Sequence, residues 1–124
     1  MDTVITVMQV VLSLFAGGGL LKLATPYAKY VKLPAQGWAN DFKPQHIRLI
    51  GVLELSAALG MIVTLLVPSL AMLTPLAAVG IALVMAGAMA THLRRAEYLI
   101  MVGNVTWLGL ALFVAYGRLA GFAI

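Results

Sequence analysis

The sequence predicts an all-α fold, an integral membrane four-helix bundle, and three observations carry that prediction. Hydrophobic residues make up 63% of the 124 positions and charged residues 10%, more apolar surface than a small water-soluble core can bury. They fall into four uninterrupted runs, about 4–23, 47–67, 70–90 and 98–119, each long enough to cross a hydrocarbon layer of about 30 Å as a helix of roughly 20 residues. None of the runs shows the alternation of a membrane barrel, and open strands would leave backbone groups unpaired in lipid. A single four-span domain over 1–124 follows.

Span one starts at Val4 without a basic leader and closes in GGGLLKL rather than in a small-residue cleavage site, so it reads as a retained span. The connection that follows, with its cytoplasmic-side loop at 24–46, is the longest polar stretch. Its Tyr27, Tyr30 and Trp38 suit anchoring in the headgroup layer, and a lid over a site is the alternative use. Asn40 or Asp41 is placed to cap a short turn, and Pro44 to open span two, where its missing N–H costs nothing. Pro68 ends that span, PSLAMLTP turns the chain back, and Pro75 falls in the first turns of span three. THLRRAE leads into span four.

Small residues mark the expected helix contacts, because helices in lipid associate through close backbone approach. Span one carries Ala16-Gly17-Gly18-Gly19 and span two Gly51, Ala57, Ala58 and Gly60. Span three carries the ladder Ala78, Ala82, Ala86, Ala90, and span four Gly103, Ala111 and Ala115. No span looks conspicuously broken, which disfavours a transporter subunit.

Charge placement sets the expected topology. Lys22, Lys29, Lys32, Lys43 and Arg48 lie in or beside the first connection, Arg94 and Arg95 in the third, and the second has no charge. By the positive-inside rule the first and third connections are cytoplasmic and both termini are non-cytoplasmic, in a membrane of the bacterial inner-membrane kind. Cations confined to membrane edges serve topology and anionic lipid, not nucleic acid. With no cysteine, disulfides, thiol nucleophiles and iron–sulfur clusters are excluded.

Helical spacing puts Ile47, Ile50, Gly51, Glu54, Ala57, Ala58, Met61 and Leu65 on one face of span two and Val52, Leu59 and Val63 opposite. Glu54 therefore points into the bundle, about 9 Å deeper than Arg48. Lys22 shares a face with Met8, Phe15, Gly18 and Gly19; Asn104 with Trp107, Leu108 and Ala111; and His92 with Met85, Ala88 and Met89. The charge-derived topology brings Glu54, Lys22, His92 and Asn104 to one leaflet. An isolated carboxylate there is expensive, so it should be paired, hydrogen-bonded or protonated.

Two uses of this cluster stay open, beside a lesser one as a proton or ion path. One is a Glu54–Lys22 clasp that only fixes helix register. The other is a ligand pocket in which Glu54 and His92 grip polar groups, Asn104 helps orient them, Lys22 sets the charge of Glu54, and Phe15, Met61, Met85, Met89 and Trp107 enclose an apolar body. His46 and His92 lack a metal-site motif and read as solvated interfacial residues, so no metal is expected. Asp2, Asp41 and Glu97 are edge residues, HLRRAE reads as a phospholipid-facing anchor, and no catalytic set is recognisable.

Several segments together, FAGGGLLKL at 15–23, HIRLIGVLELSAALGMIV at 46–63, LTPLAAVGIALVMAGA at 73–88, THLRRAE at 91–97 and LALFVAYGRL at 110–119, resemble the DoxX-like family of small four-helix membrane proteins. The resemblance implies the bundle fold and an association with quinone-linked sulfur oxidation and membrane oxidoreductase complexes. The fold is also similar to that of quinone-dependent thiol oxidoreductases, from which this chain departs by having no cysteine. A distant resemblance to a receptor-assembly chaperone implies a non-enzymatic alternative. The expectation is an inner-membrane protein that binds a small lipophilic, quinone-like ligand as the membrane subunit of a redox or stress-response system. The alternative is a membrane scaffold or assembly chaperone acting through helix contacts. Membrane lipids, other membrane or redox proteins and further copies of the chain are the expected partners.

Overall fold

The computed structural model describes the backbone of residues 2–123 and the side chains of residues 3–120; the Asp2 side chain lies outside the described residues. The elements are α1 (Asp2–Ala16), α2 (Gly19–Ala24), α3 (Tyr27–Tyr30), a 3₁₀ turn (Gly37–Asp41), α4 (Pro44–Leu66), a second 3₁₀ turn (Pro68–Leu70), α5 (Leu73–Arg94) and α6 (Tyr98–Ala123). There is no strand among the described residues. Four helical stretches are long and apolar enough to cross a membrane, α1 and α2 counting as one. They close a ring in which α1 packs on α4 and α6, α2 on α4, α4 on α5, and α5 on α6. Leu14, Leu66, Leu83 and Leu99 stand well exposed on its outside, where only hydrocarbon makes them inexpensive.

Helix ends follow local chemistry. α4 begins at Pro44, ahead of the apolar run, and stops at Leu66 because Val67 before Pro68 is extended, with φ −124° and ψ 90°. α5 continues past Ala90 to Arg94, so His92 and Arg94 sit in its last turn, where cations complement the helix dipole. Ala96, with φ 57°, takes the left-handed position usually given to glycine. The Ala96 N–H then donates to the Leu93 carbonyl at 3.1 Å and the Glu97 N–H to the His92 carbonyl at 2.8 Å, the paired bonds of a Schellman ending. This ending folds Glu97 back onto His92.

The first span departs from expectation. The Gly17 N–H still reaches four residues back to Ser13, but the Gly18, Leu20 and Leu21 N–H groups reach only three back, to Phe15, Gly17 and Gly18, each at 3.0 Å. Three consecutive glycines have little helix preference and no Cβ to resist tightening, so α1 and α2 meet at a break.

The inward face of α4 is as its spacing predicts: Ile47, Gly51, Glu54, Ala58 and Met61 are buried while Val52, Leu59 and Val63 are exposed. The alanine ladder of α5 needs correction. Ala78 and Ala82 are buried but Ala86 and Ala90 are exposed, because each four-residue step overshoots a helical turn by about 40° and the ladder rotates out of the core. Ile81, Met85 and His92 take the inward positions instead. Gly103 is likewise exposed.

Candidate functional site at the capped end

The site begins with two glycines. A Cβ built on Gly19 would lie 2.6 Å from the Gly51 carbonyl oxygen, and one on Gly51 would lie 2.9 Å from the Gly19 carbonyl oxygen. Backbone meets backbone there, so α2 and α4 come as close as two helices can. Lys22 and Glu54, each three residues further along its helix, are thereby brought within reach across the contact. Lys22 Nζ lies 2.7 Å from Glu54 Oε1, with the two side chains 13% and 5% exposed. The ammonium is the partner of Glu54 Oε1 among the described residues, in a close, nearly buried ion pair.

The polar segment after α2 folds into a cap over this pair. Tyr30, Ala39 and Ile47 are buried together, with Tyr27, Val31, Leu33, Trp38 and Phe42 packed around them. Gln36 Oε1 accepts hydrogen bonds from the Tyr30 hydroxyl at 2.9 Å and from Trp38 Nε1 at 2.8 Å. The Tyr27 hydroxyl is directed at the carbonyls of Phe42, at 2.8 Å, and Ala39, at 3.1 Å. Burial raises the Tyr30 phenol above its ordinary pKa, against the opposing effect of Lys22, so the hydroxyl stays protonated and can donate to Gln36. Lys22 Nζ stands 6.0 and 5.9 Å from the Tyr30 and Trp38 ring centroids, at the outer limit of cation–π attraction. These aromatic residues build a structured lid rather than separate headgroup anchors, because their polar ends are satisfied by the cap's own backbone and by Gln36.

A second polar chain ties the cap to the α5–α6 corner. The His92 ring packs edge-on against Trp38 with centroids 6.1 Å apart, and His92 Nδ1 is 3.0 Å from Glu97 Oε1. Arg95 Nε donates to the same oxygen at 3.1 Å, and an Arg95 terminal nitrogen donates to Asp41 Oδ1 at 3.0 Å. Arg94 approaches the other Asp41 oxygen at 3.5 Å. The hydrogen bond from His92, with help from Arg95, holds the Glu97 carboxyl below its ordinary pKa. Three sequence readings are corrected here. Asp41 clasps arginines rather than capping a turn, and Lys43 precedes α4 without a side-chain cap. Arg95 faces the protein rather than lipid headgroups. His92 is buried while His46 is exposed, so the two histidines do not share the solvated role expected of them. Asp41 and Glu97 sit at the membrane edge but as members of a network.

The remaining predicted residues form the layer beneath. Phe15 stacks on Trp107 with centroids 4.0 Å apart and planes 14° from parallel, while Met61 and Met85 are buried in the main core beside them. Met89, one turn nearer the cap than Met85, is half-buried. Phe15 and Lys22 address different neighbours, α6 and α4, although simple spacing puts them on one face. Asn104 lies one turn from Trp107 toward the cap, level with Gly18 and Gly19, one turn on from Phe15. Glu54 Cβ would lie 2.8 Å from a Cβ on Gly19, so Glu54 too stands near this depth, counted along the helices. Asn104 Nδ2 is shielded from solvent and has no hydrogen-bond partner among the described residues.

A profile of the DoxX-like family matches residues 6–114, most of the chain. The chain belongs to the DoxX-like family. Neither a curated protein sequence nor a solved structure matched it.

The far end of this DoxX-like protein holds a polar cluster that the sequence reading missed. Gln9, fully buried, donates from Nε2 to the Met61 carbonyl at 2.6 Å and faces the hydroxyls of Thr64 and Thr74 at 3.3 and 3.4 Å. Its Oε1 accepts from Arg118 Nε at 2.9 Å, and another Arg118 nitrogen donates to Thr6 Oγ1 at 2.9 Å. Ser13, one turn along α1, donates to the Ala58 carbonyl at 2.8 Å. The available signal was the pair Gln9 and Ser13, four residues apart on the inward stripe of an apolar run, a spacing suited to bonding a neighbouring helix.

Proposed function

We propose that this DoxX-like membrane protein binds a small lipophilic molecule with a hydrogen-bonding head, a quinone-like carbonyl compound, in the layer shared by Asn104 and Glu54. The unpartnered Asn104 Nδ2 carries this reading. A buried amide N–H left unpaired costs about 1–3 kcal/mol, and a ligand carbonyl accepting from it removes that cost. In the reduced form of such a ligand a hydroxyl could donate to Glu54, whose charge Lys22 maintains. Phe15, Trp107, Met61, Met85 and Met89 would flank the apolar body, while His92 steadies the lid through Trp38. With no cysteine in the chain, electrons would come from a partner, which makes the chain a membrane subunit of a larger redox or stress-response system. The basic connections favour a cytoplasmic capped end and non-cytoplasmic termini in an inner membrane.

The test is titration of the detergent-solubilised protein with a short-chain benzoquinone, followed by tryptophan quenching. Native protein should saturate, and Asn104→Leu should bind about tenfold more weakly, the equivalent of one lost hydrogen bond. Equal affinity in Asn104→Leu and Glu54→Gln, or no saturable binding, would overturn the reading. In that event the Gly19–Gly51 contact favours the second reading, a scaffold or assembly chaperone whose Lys22–Glu54 clasp serves helix register.

A further inference from the structure

All the acids with described side chains are engaged: Glu54 by Lys22, Asp41 by Arg94 and Arg95, and Glu97 by Arg95 and His92. At the capped end Lys29, Lys32, Lys43 and Arg48 remain, all exposed and all on the cap or in the opening turns of α4. None pairs with an acid among the described residues. Their neutralising anions therefore come from outside the described residues.

Immediately below stand exposed leucines. Leu49 follows Arg48 in sequence and is 55% exposed, Leu53 one turn deeper is 51% exposed, and Leu20 and Leu21 on α2 are 55% and 48% exposed. Both sets lie within a turn of the Gly19–Gly51 contact along their helices. Cations at headgroup depth directly above hydrocarbon-facing leucines match a molecule with an anionic head and long apolar chains. An acidic protein segment would satisfy the lysines and leave the leucines to something else.

We propose that the exposed cations of the cap and the opening of α4 form a binding surface for anionic phospholipid, with headgroups on Lys29, Lys32, Lys43 and Arg48 and acyl chains on the exposed leucines of α2 and α4 just below them. This surface is separate from the Asn104–Glu54 layer and stands whether or not a quinone-like ligand binds there.

The test exchanges the full chain into vesicles of equal parts phosphatidylglycerol and phosphatidylcholine, re-extracts it in mild detergent, and quantifies retained lipid by mass spectrometry. A basic residue near an anionic surface contributes a factor of about five, so at least about fivefold enrichment of phosphatidylglycerol is expected. It should fall to near unity in K29Q/K32Q/K43Q/R48Q and when salt near 1 M shortens the screening length to about 3 Å. Inorganic phosphate should leave the enrichment unchanged, since it has no chains for the leucines; complete displacement by phosphate would overturn the lipid seat. Should the quadruple variant fail to fold in phosphatidylcholine, the salt series on the native chain decides. Absence of enrichment, or full enrichment in the neutralised variant, overturns the proposal. Full enrichment together with lost binding of a polyglutamate peptide would reassign the face to an acidic protein partner.

Discussion

At the capped end Lys22 and Glu54 meet as opposite charges in a nearly closed site, whereas at the far end the deepest polar group is the neutral Gln9 amide. The Gln9 nitrogen has a backbone carbonyl and two threonine hydroxyls to choose from, and its oxygen has Arg118. The capped end leaves Asn104 Nδ2 without a hydrogen-bond partner among the described residues. A satisfied polar cluster inside a helical bundle locks register and asks nothing of a ligand. An unsatisfied one either wastes free energy or waits for a guest. On the proposed reading, the difference assigns binding to the capped end and helix register to the far end.

The strongest way to break that contrast is Lys22→Met. Removing one member of a buried ion pair leaves an uncompensated charge, which costs about 3–5 kcal/mol. Unfolding in detergent should register that loss, and most of it should return in Lys22→Met with Glu54→Gln. A single-variant loss below about 1 kcal/mol would mean that the pair is solvated and that the ends differ less than the geometry implies.

Gln9→Leu probes the other side. It removes one acceptor of Arg118 and one donor to the Met61 carbonyl, and should cost about 1–3 kcal/mol while leaving quinone titration unchanged. Weakened titration would show that the two ends are coupled rather than divided between structure and binding.

The mildest perturbation is acid. Because the folded value of Glu97 lies below its unfolded one, its contacts stabilise the corner above the ordinary carboxylate range and are lost as pH falls through the depressed value. Trp38, which packs on His92, should report the loosening as a fluorescence shift at acid pH, and Glu97→Gln should remove that step. An unchanged step in the variant would detach the lid from Glu97.

The bundle and the Glu54 face were legible because both rest on periodicity: apolar runs of span length, and small residues beside the acid at helical spacing. The Lys22–Glu54 meeting followed from counting depth along two antiparallel helices. The cap was not legible, since Tyr27, Tyr30, Gln36 and Trp38 follow no period and their hydrogen bonds depend on a backbone path that only the folded chain defines. Asp41 was hidden for a related reason: its partners Arg94 and Arg95 lie more than fifty positions away. Gln9 was overlooked because a lone amide barely interrupts an apolar run, and its partners come from three other helices.

The tightened stretch at Gly17 and Gly18 changes direction as well as length. Each 3₁₀ residue advances the chain around its axis by about 120° instead of about 100°, so three tightened bonds add an azimuth of roughly 60°. Seven positions apart, Phe15 and Lys22 would point the same way in a straight helix; that added rotation leaves the ring on Trp107 and swings the ammonium to Glu54. A Cβ on Gly18 would come within 3.1 Å of the Phe15 carbonyl oxygen, so a side chain there would oppose the winding. The glycines work as a vernier, and three missing side chains decide which neighbouring helix receives the charge.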